Sequence, residues 1–423
     1  MEKYSSYKNS GVQWLGQIPS HWEVKHLRNF LTLFSEKGFG HAQLLSVTRE
    51  KGVILRDKDD KEENHNFVPD DLSGYKHLMP GDFVINKMKS WQGSYGVSKY
   101  EGIVSPAYFT CKLKGVDPQF FSQAIRSKAY IGFFMQYSKG IRVDQWDLDP
   151  SSMKDIPFIL PPLDEQKRIV PYLDAATAKI DEAIAQQQRM IDLLNERKQI
   201  IINDAVSSGL GNEFSALTSF EGRESITIPK GWRLLPLKAK ISFVNGYAFD
   251  SESFMKEGEV PVIRISNISD GTVSYDDIVY VDRDKGLEPF LTKGGDLLIA
   301  MSGATTGKVG FDIDGGSYIN QRVGIIRSSC QKWVYYWLMT SFFKEYVYLS
   351  ALGSAQPNIS SSGIKNFRIL YPEDGNYSNI VDRLDVICQE IDKALGAFQH
   401  QIDLLQERKQ IIINDVVTGK VKV

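Results

Sequence analysis

The sequence predicts an α+β protein: two pseudo-symmetric globular domains separated by two long α-helices that pair as a coiled coil. Three observations predict it. The stretch IDLLNERKQIIINDAV, Ile191–Val206, returns as IDLLQERKQIIINDVV, Ile402–Val417, with 14 of 16 positions identical at an offset of 211 in a chain of 423. Apolar residues precede and run through each copy at heptad spacing. Shorter matches recur in the same order through both halves.

The helices come first. Leu173, Ile180, Ile184, Ile191, Leu194, Ile201 and Ala205 are separated by 7, 4, 7, 3, 7 and 4 residues. Leu384, Ile391, Leu395, Ile402, Leu405, Ile412 and Val416 repeat the same steps. The mean is about 3.5 residues per turn, the seam of a coiled coil. Tyr172–Val206 would span roughly 50 Å at 1.5 Å per residue. Two such seams in one chain most simply bury each other; two amphipathic helices on separate cores is the plainer alternative. Pro171 predicts a kink or break early in the first helix. Asp164 and Glu165 suit the positive end of its dipole.

The repeat extends into the domains. Ile18–Leu27 corresponds to Ile228–Leu237, and Gly81–Ile85 (GDFVI) to Gly295–Ile299 (GDLLI). Gln145–Pro161 aligns without gaps to Gln356–Pro372, and Val170–Ile184 to Val381–Leu395. Agreement is strong at the edges and weak in the middle, as expected for one scaffold with different inserts. Strands are predicted at Phe83–Asn86, Val260–Ile265, Leu297–Met301 and Tyr318–Arg327, and helices at Gln119–Tyr130 and Val334–Leu349. Ser207–Ser225, rich in Ser, Gly and charge, reads as a linker. The expected division is 1–160 for the first domain, 161–210 for the first helix and the start of the linker, 211–371 for the linker and second domain, and 372–423 for the second helix.

Composition describes an ordinary soluble protein, 42% hydrophobic and 24% charged, with net charge −2. That charge gives no sign of nucleic acid, so a DNA binder of this composition must sort its basic residues onto one face. Cys111, Cys330 and Cys388 stand alone, which indicates neither a disulfide framework nor a zinc site. No signal or membrane-spanning segment is evident, and a cytoplasmic protein is expected. Gly303–Lys308 (GATTGK) has three residues between its glycines and Val309 after the lysine, so it is not a phosphate-binding loop. Ser105–Tyr108 (SPAY) lacks the second proline of an amino-methyltransferase motif. Asp59-Asp60 and Asp276-Asp277 lack the rest of a metal nuclease site. No catalytic, metal-binding or cofactor-binding constellation is expected.

With these residues laid out, the chain resembles the specificity (S) subunit of type I restriction–modification enzymes. Ser10–Val24 (SGVQWLGQIPSHWEV), Pro161–Asp174 (PPLDEQKRIVPYLD) and the repeated IDLLxERKQIIIND carry the resemblance, which covers essentially the whole chain. It implies two target-recognition domains, each reading one half of a split double-stranded DNA site, and helices that pair antiparallel and set the spacing. It also implies seats for two adenine-methyltransferase (M) subunits, docking of restriction (R) subunits, and no chemistry by this chain. The second half departs from the pattern: it has no counterpart of SGVQWLG, and PPLDEQ has become Tyr371-Pro372-Glu373-Asp374-Gly375. A scaffold that recruits partners without reading sequence is the alternative from another class.

Residues following each GD strand are the candidate DNA contacts. In the first half these are Lys87, Lys89, Trp91, Gln92 and Tyr95, with Lys139 and Arg142 further on. In the second they are Ser302, Thr305, Thr306 and Lys308, with Asn320, Gln321 and Arg322. Lysine suits phosphates; Gln, Ser, Thr, Asn and Arg reach base edges. The plainer reading of each is a solvated loop residue.

Overall fold

The computed structural model describes residues 2–13, 15–57, 68–140, 146–209, 214–220, 223–351, 357–373, 375 and 377–423. The chain divides into two compact units, Met1–Gln188 with His400–Val423, and Arg189–Gln399. The first long helix is Leu163–Ser208 and the second Tyr377–Val417. Each helix contributes one part to each unit.

In the first unit a four-stranded antiparallel sheet runs in the order Leu31–Phe34, Phe109–Leu113, Phe83–Ile85, Tyr95–Val97. Its core is aromatic: Trp22, Phe83, Tyr95, Phe120, Phe121, Tyr130, Phe134 and Phe158 are all fully buried. The predicted helix Gln119–Tyr130 is two helices, Pro118–Ile125 and Lys128–Tyr137. Between them the Arg126 side chain turns inward and donates to the carbonyls of Tyr95 (2.7 Å), Arg49 (2.9 Å) and Glu50 (2.7 Å).

The start of the first long helix is sewn to this unit. Gln166, buried, accepts from the Asp117 amide at 2.8 Å and donates to the Pro161 carbonyl at 2.8 Å. Glu165 accepts from the Tyr4 hydroxyl (3.1 Å) and Trp22 Nε1 (2.9 Å), and its other oxygen lies 2.6 Å from His21 Nε2. Pro171 does not interrupt the helix, which is continuous through it. The proline is exposed, so the carbonyl it leaves unpaired one turn back can be hydrated.

Glu165 makes a pH prediction. Burial would raise its pKa, but hydrogen bonds from His21, Trp22 and Tyr4 outweigh burial and hold it below the ordinary 4.5. The unfolded chain therefore takes up this proton more readily. The stabilisation is complete above about pH 4.5 and is lost as pH falls through the lower folded value. Glu165→Gln keeps the shape and removes the titration. Its urea midpoint is expected to fall less than the wild type's between pH 7 and pH 4; equal falls would contradict this.

Among the described residues the second unit has two sheets of more than two strands. One has six strands in the order Ser242–Asn245, Val323–Arg327, Asp296–Ala300, Val309–Asp312, Gly271–Val273, Ile268–Ser269. The other has four: Val279–Val281, Val260–Ile263, Gly315–Ile319, Leu291–Lys293. The predicted single strand Tyr318–Arg327 is thus two strands in different sheets. They break at Asn320–Arg322, where the Asn320 side chain accepts from the Gln321 amide at 2.7 Å. The predicted helix Val334–Leu349 is also divided, into Gln331–Leu338 and Ser341–Ala351. Thr340 sits at the break: its hydroxyl donates to the Trp337 carbonyl (2.6 Å) and accepts from the Phe343 amide (3.2 Å). Trp333 and Trp337 both donate to the Leu370 carbonyl at 3.1 Å. The stretch expected as a linker holds a hairpin, Phe214–Phe220 with Arg223–Pro229. Phe214, Ala216, Thr218 and Phe220 have the two-residue period of a strand, which the abundant Ser and Gly conceal.

The repeat is visible in the bonding of each unit. Glu23–His26 pairs antiparallel with Pro157–Leu160, and Trp232–Pro236 with Arg368–Pro372. The amide of Leu27 donates to the Ile156 carbonyl (2.9 Å), and that of Leu237 to the Phe367 carbonyl (2.7 Å). The aspartate of each GD strand is structural. Asp82 accepts from the Met79 amide (2.9 Å) and Lys112 (2.7 Å); Asp296 accepts from the Lys293 amide (2.8 Å) and from Nε and Nη2 of Arg327 (2.8 and 2.6 Å).

Both long helices enter each core. In the first unit Ile169, Val170 and Leu173 share one apolar cluster with Ile413, Val416 and Val417. In the second, Ile202 and Val206 share one with Ile380, Val381, Leu384 and Cys388. Within the first unit Lys409 binds both carboxylate oxygens of Asp181 (2.6 and 2.7 Å). Within the second, Lys198 binds both of Asp392 (2.6 and 2.8 Å). The offset of 211 carries one ion pair onto the other. Of the seam residues, Leu173, Ile180, Leu384, Ile391, Ile402 and Val416 are buried. Ile184, Ile191, Leu194, Ile201, Leu395, Leu405 and Ile412 are half-buried. Towards their ends the helices turn a neighbouring residue inward: Ile202 and Ile413 are buried where Ile201 and Ile412 are not.

Candidate nucleic-acid interface

In each unit, several strand ends carry the candidate residues to one edge of the principal sheet. In the first unit the strand Phe83–Ile85 ends at Asn86, and a short 3₁₀ turn, Ser90–Gln92, follows. Gly93, at φ +93°, makes the left-handed turn back into the next strand. Lys87, Lys89, Trp91 and Gln92 occupy this turn. A strand from elsewhere in the chain meets it: Leu148 donates to the Lys87 carbonyl at 3.1 Å, and Lys139 pairs across from Asp147. The structure therefore gathers Lys87, Lys89, Trp91, Gln92 and Lys139. Lys87 forms an ion pair with Asp147 at 2.9 Å, whereas Lys89 and Lys139 are exposed. Arg142 lies outside the described residues.

Tyr95 is a correction. Its side chain is fully buried among Phe83 and Phe134, so it is a core residue and not a surface contact. It begins a strand whose alternation sends it inward. Burial pushes its phenol pKa upward, and among the described residues its hydroxyl has no partner. The aromatic residue that does join the edge is Trp146, whose ring centroid lies 5.2 Å from that of Trp91. Sequence reasoning missed it because it sits 55 residues away. The repeat offered a signal, since the segment beginning at Gln145 matches the one beginning at Gln356.

In the second unit, antiparallel pairing brings together the end of Asp296–Ala300, the start of Val309–Asp312, the start of Val323–Arg327 and the end of Ser242–Asn245. Ser302, Thr305, Thr306, Lys308, Asn320, Gln321 and Arg322 therefore all lie at one edge. They divide by what they hold. Thr305 donates to the Ile265 carbonyl (3.0 Å), and Thr306 to the carbonyls of Gly303 (2.6 Å) and Pro357 (3.1 Å). These two threonines shape the turn. Lys308, Gln321 and Arg322 are exposed. The GATTGK stretch is a 3₁₀ turn leading into a strand, without the following helix that a phosphate-binding loop requires.

Among the described residues no cluster of His, Cys, Asp or Glu is placed to hold a metal ion. No described helix is long and apolar enough to cross a membrane. The edges offer cations, amides and hydroxyls, which suit a polyanion with readable hydrogen-bonding edges.

Comparison with known proteins agrees with this class. Residues 229–398 match the family described as type I restriction modification DNA specificity domain. The chain is 24% identical to the type I restriction enzyme MjaVIII specificity subunit of Methanocaldococcus jannaschii, covering 96% of this chain and 94% of the relative. It is also 24% identical to the putative MjaX specificity subunit of that organism, over 97% and 96% of the two chains. A solved chain from a study of complex assembly and conformational transition in the type I R-M system has the same fold. Its TM-score is 0.64 at 16% identity, covering 96% of this chain and 99% of that one. In the matched residues 229–398 the chain is thus similar to the DNA-specificity proteins of restriction–modification systems. Within that class, the chain is similar over nearly its whole length to type I specificity subunits.

Proposed function

We propose that this chain reads a bipartite DNA site, one half-site at each sheet edge, and carries out no chemistry itself. The observation that carries the reading is the repeat of the reader: both edges stand at the end of a GD strand, on one scaffold, with different side chains. Residues 1–160 and 211–371 are the two target-recognition domains. The segments 161–210 and 372–423 carry the long helices, which pair antiparallel along the seam and set the spacing. The duplicated ion pairs Asp181–Lys409 and Lys198–Asp392 support that pairing. Lys87, Lys89 and Lys139 contact phosphates; Gln92, Ser302, Gln321 and Arg322 face bases. The partner methyltransferase subunits act on an adenine flipped from the duplex, and restriction subunits join that complex.

The test is a methylome. The chain is expressed with its genomic-neighbour methyltransferase in a host free of DNA methylation, and N6-methyladenine is mapped by single-molecule sequencing. A split motif with a fixed unspecified gap is expected. Tight complex formation and DNA binding without a sequence motif would show a scaffold instead.

The partner seats are also testable. Leu193 and Ile200 are 58% and 51% exposed, and their repeat counterparts Leu404 and Ile411 are 51% and 52% exposed. Repeated apolar side chains in water suit two copies of one partner. Burial of each is worth roughly 1.5–3 kcal/mol. The double variant Leu193→Lys, Ile200→Lys is expected to weaken one seat by about a hundredfold or more. Native mass spectrometry should then find one methyltransferase per chain instead of two; an unchanged ratio would contradict the assignment.

A further inference from the structure

We infer that Asn358 and Tyr247 complete the DNA-contacting row of the second unit, on either side of Gln321 and Arg322, Asn358 as a base reader and Tyr247 as a phosphate contact. The inference rests on the half-site reading proposed above and names one residue that carries its specificity and one that adds affinity.

Four chain segments are bonded side by side at this edge. Tyr247 donates its amide to the Ile319 carbonyl at 3.0 Å and bridges Asn320. The approach is close enough to require glycine before it: a Cβ on Gly246 would stand 2.0 Å from the Asn320 carbonyl oxygen. The Arg322 carbonyl accepts from Met301 at 2.8 Å, and the Met301 carbonyl accepts from Ile359 at 2.9 Å. Ser302 bridges Asn358. The backbone beneath the row is thus tied from Tyr247 to Asn358 by hydrogen bonds that leave the side chains uncommitted.

Those side chains are available. Tyr247 is 41% exposed, and Gln321, Arg322 and Asn358 are exposed. Among the described residues, none of these four side chains has a hydrogen-bond or ion-pair partner. Other arginines of this unit's sheets are engaged: Arg264 with the Asp277 carbonyl, Arg283 with Glu288, Arg327 with Asp296 and Arg233 with Glu373. Unpaired Arg322 between two amide side chains is therefore a local exception.

The chemistry matches a duplex groove. Asparagine pairs bidentately with the N6 and N7 of adenine, and arginine with the O6 and N7 of guanine. The Tyr247 ring is held by Phe249 (5.0 Å) and Phe290 (5.4 Å), so its hydroxyl is a rigidly mounted donor for a phosphate oxygen. The repeat counterpart of Asn358 is Asp147, which is closed by its ion pair with Lys87. Asn358 is thus a reader peculiar to the second unit, and its effect belongs to one half-site.

The experiment uses the purified complex of the chain with its methyltransferase. Fluorescence anisotropy measures binding to the duplex motif and to every single-base-pair substitution in both half-sites. Asn358→Ala is expected to lower discrimination roughly tenfold at one base pair of one half-site, with the other half-site unchanged. Asn358→Asp should shift preference there from adenine towards cytosine, whose N4 donates to a carboxylate. Tyr247→Phe should weaken binding to all duplexes alike. Ile313→Ser, on the turn at the opposite end of the strands, should change nothing. If the Asn358 and Tyr247 variants keep wild-type discrimination and affinity within twofold, the inference is overturned while half-site reading stands. If the wild-type complex discriminates in neither half-site, the functional reading fails and this inference with it.

Discussion

Inserting four residues into both long helices, after Gln187 and after Phe398, is expected to lengthen the unspecified gap of the methylated motif while leaving both half-sites unchanged. Four residues add about one helical turn, 5.4 Å, or roughly 1.6 base pairs at 3.4 Å per base pair. A gap longer by one or two base pairs is therefore expected. The positions are repeat equivalents. Asp181 and Lys409 lie outside the inserted points within the first unit, and Lys198 and Asp392 within the second, so each unit keeps its own ion pair. A motif with its original gap in the methylome would mean that the helices are not the ruler.

Replacing Trp333 with alanine is expected to destabilise the second unit by about 3–5 kcal/mol. Trp333 is fully buried, with its ring against Trp232 (5.6 Å) and Tyr377 (6.1 Å), and its indole donates to the Leu370 carbonyl. Tyr377 opens the second long helix and Trp232 opens a strand, so one side chain supports three elements. A loss of that size approaches the whole stability of many domains. Guanidinium unfolding followed by far-UV circular dichroism would measure it. Trp333→Phe should cost less, because an aromatic ring still fills the site and Trp337 still donates to the same carbonyl. A change below 1 kcal/mol for alanine would contradict this account of the core.

The two long helices were legible in the sequence because heptad spacing is a local property, written in every turn. A helix of the predicted kind needs no knowledge of its partner to show where its apolar face lies. Even there, Ile202 and Ile413 escaped, because near its end each helix answers to its domain rather than to the seam. Helix and strand breaks at Arg126–Ser127, Met339–Thr340 and Asn320–Arg322 were less legible. Each is set by an inward-turning or capping side chain that a periodic pattern does not register.

The sequence by itself determined that there are two like halves, that each half ends in a long helix, and that residues differing between the halves follow a GD strand. Only the tertiary structure decided which of those residues face outward. Trp91 and Tyr95 are four apart in one loop-to-strand passage; one lies against Trp146 at the edge, and the other is inside the core. The structure alone also brought Trp146 to Trp91 and Asn358 to Ser302. Exposure at an edge depends on which distant segment returns to pair there, and that is fixed by sheet pairing and burial across the domain, not by neighbours in the chain.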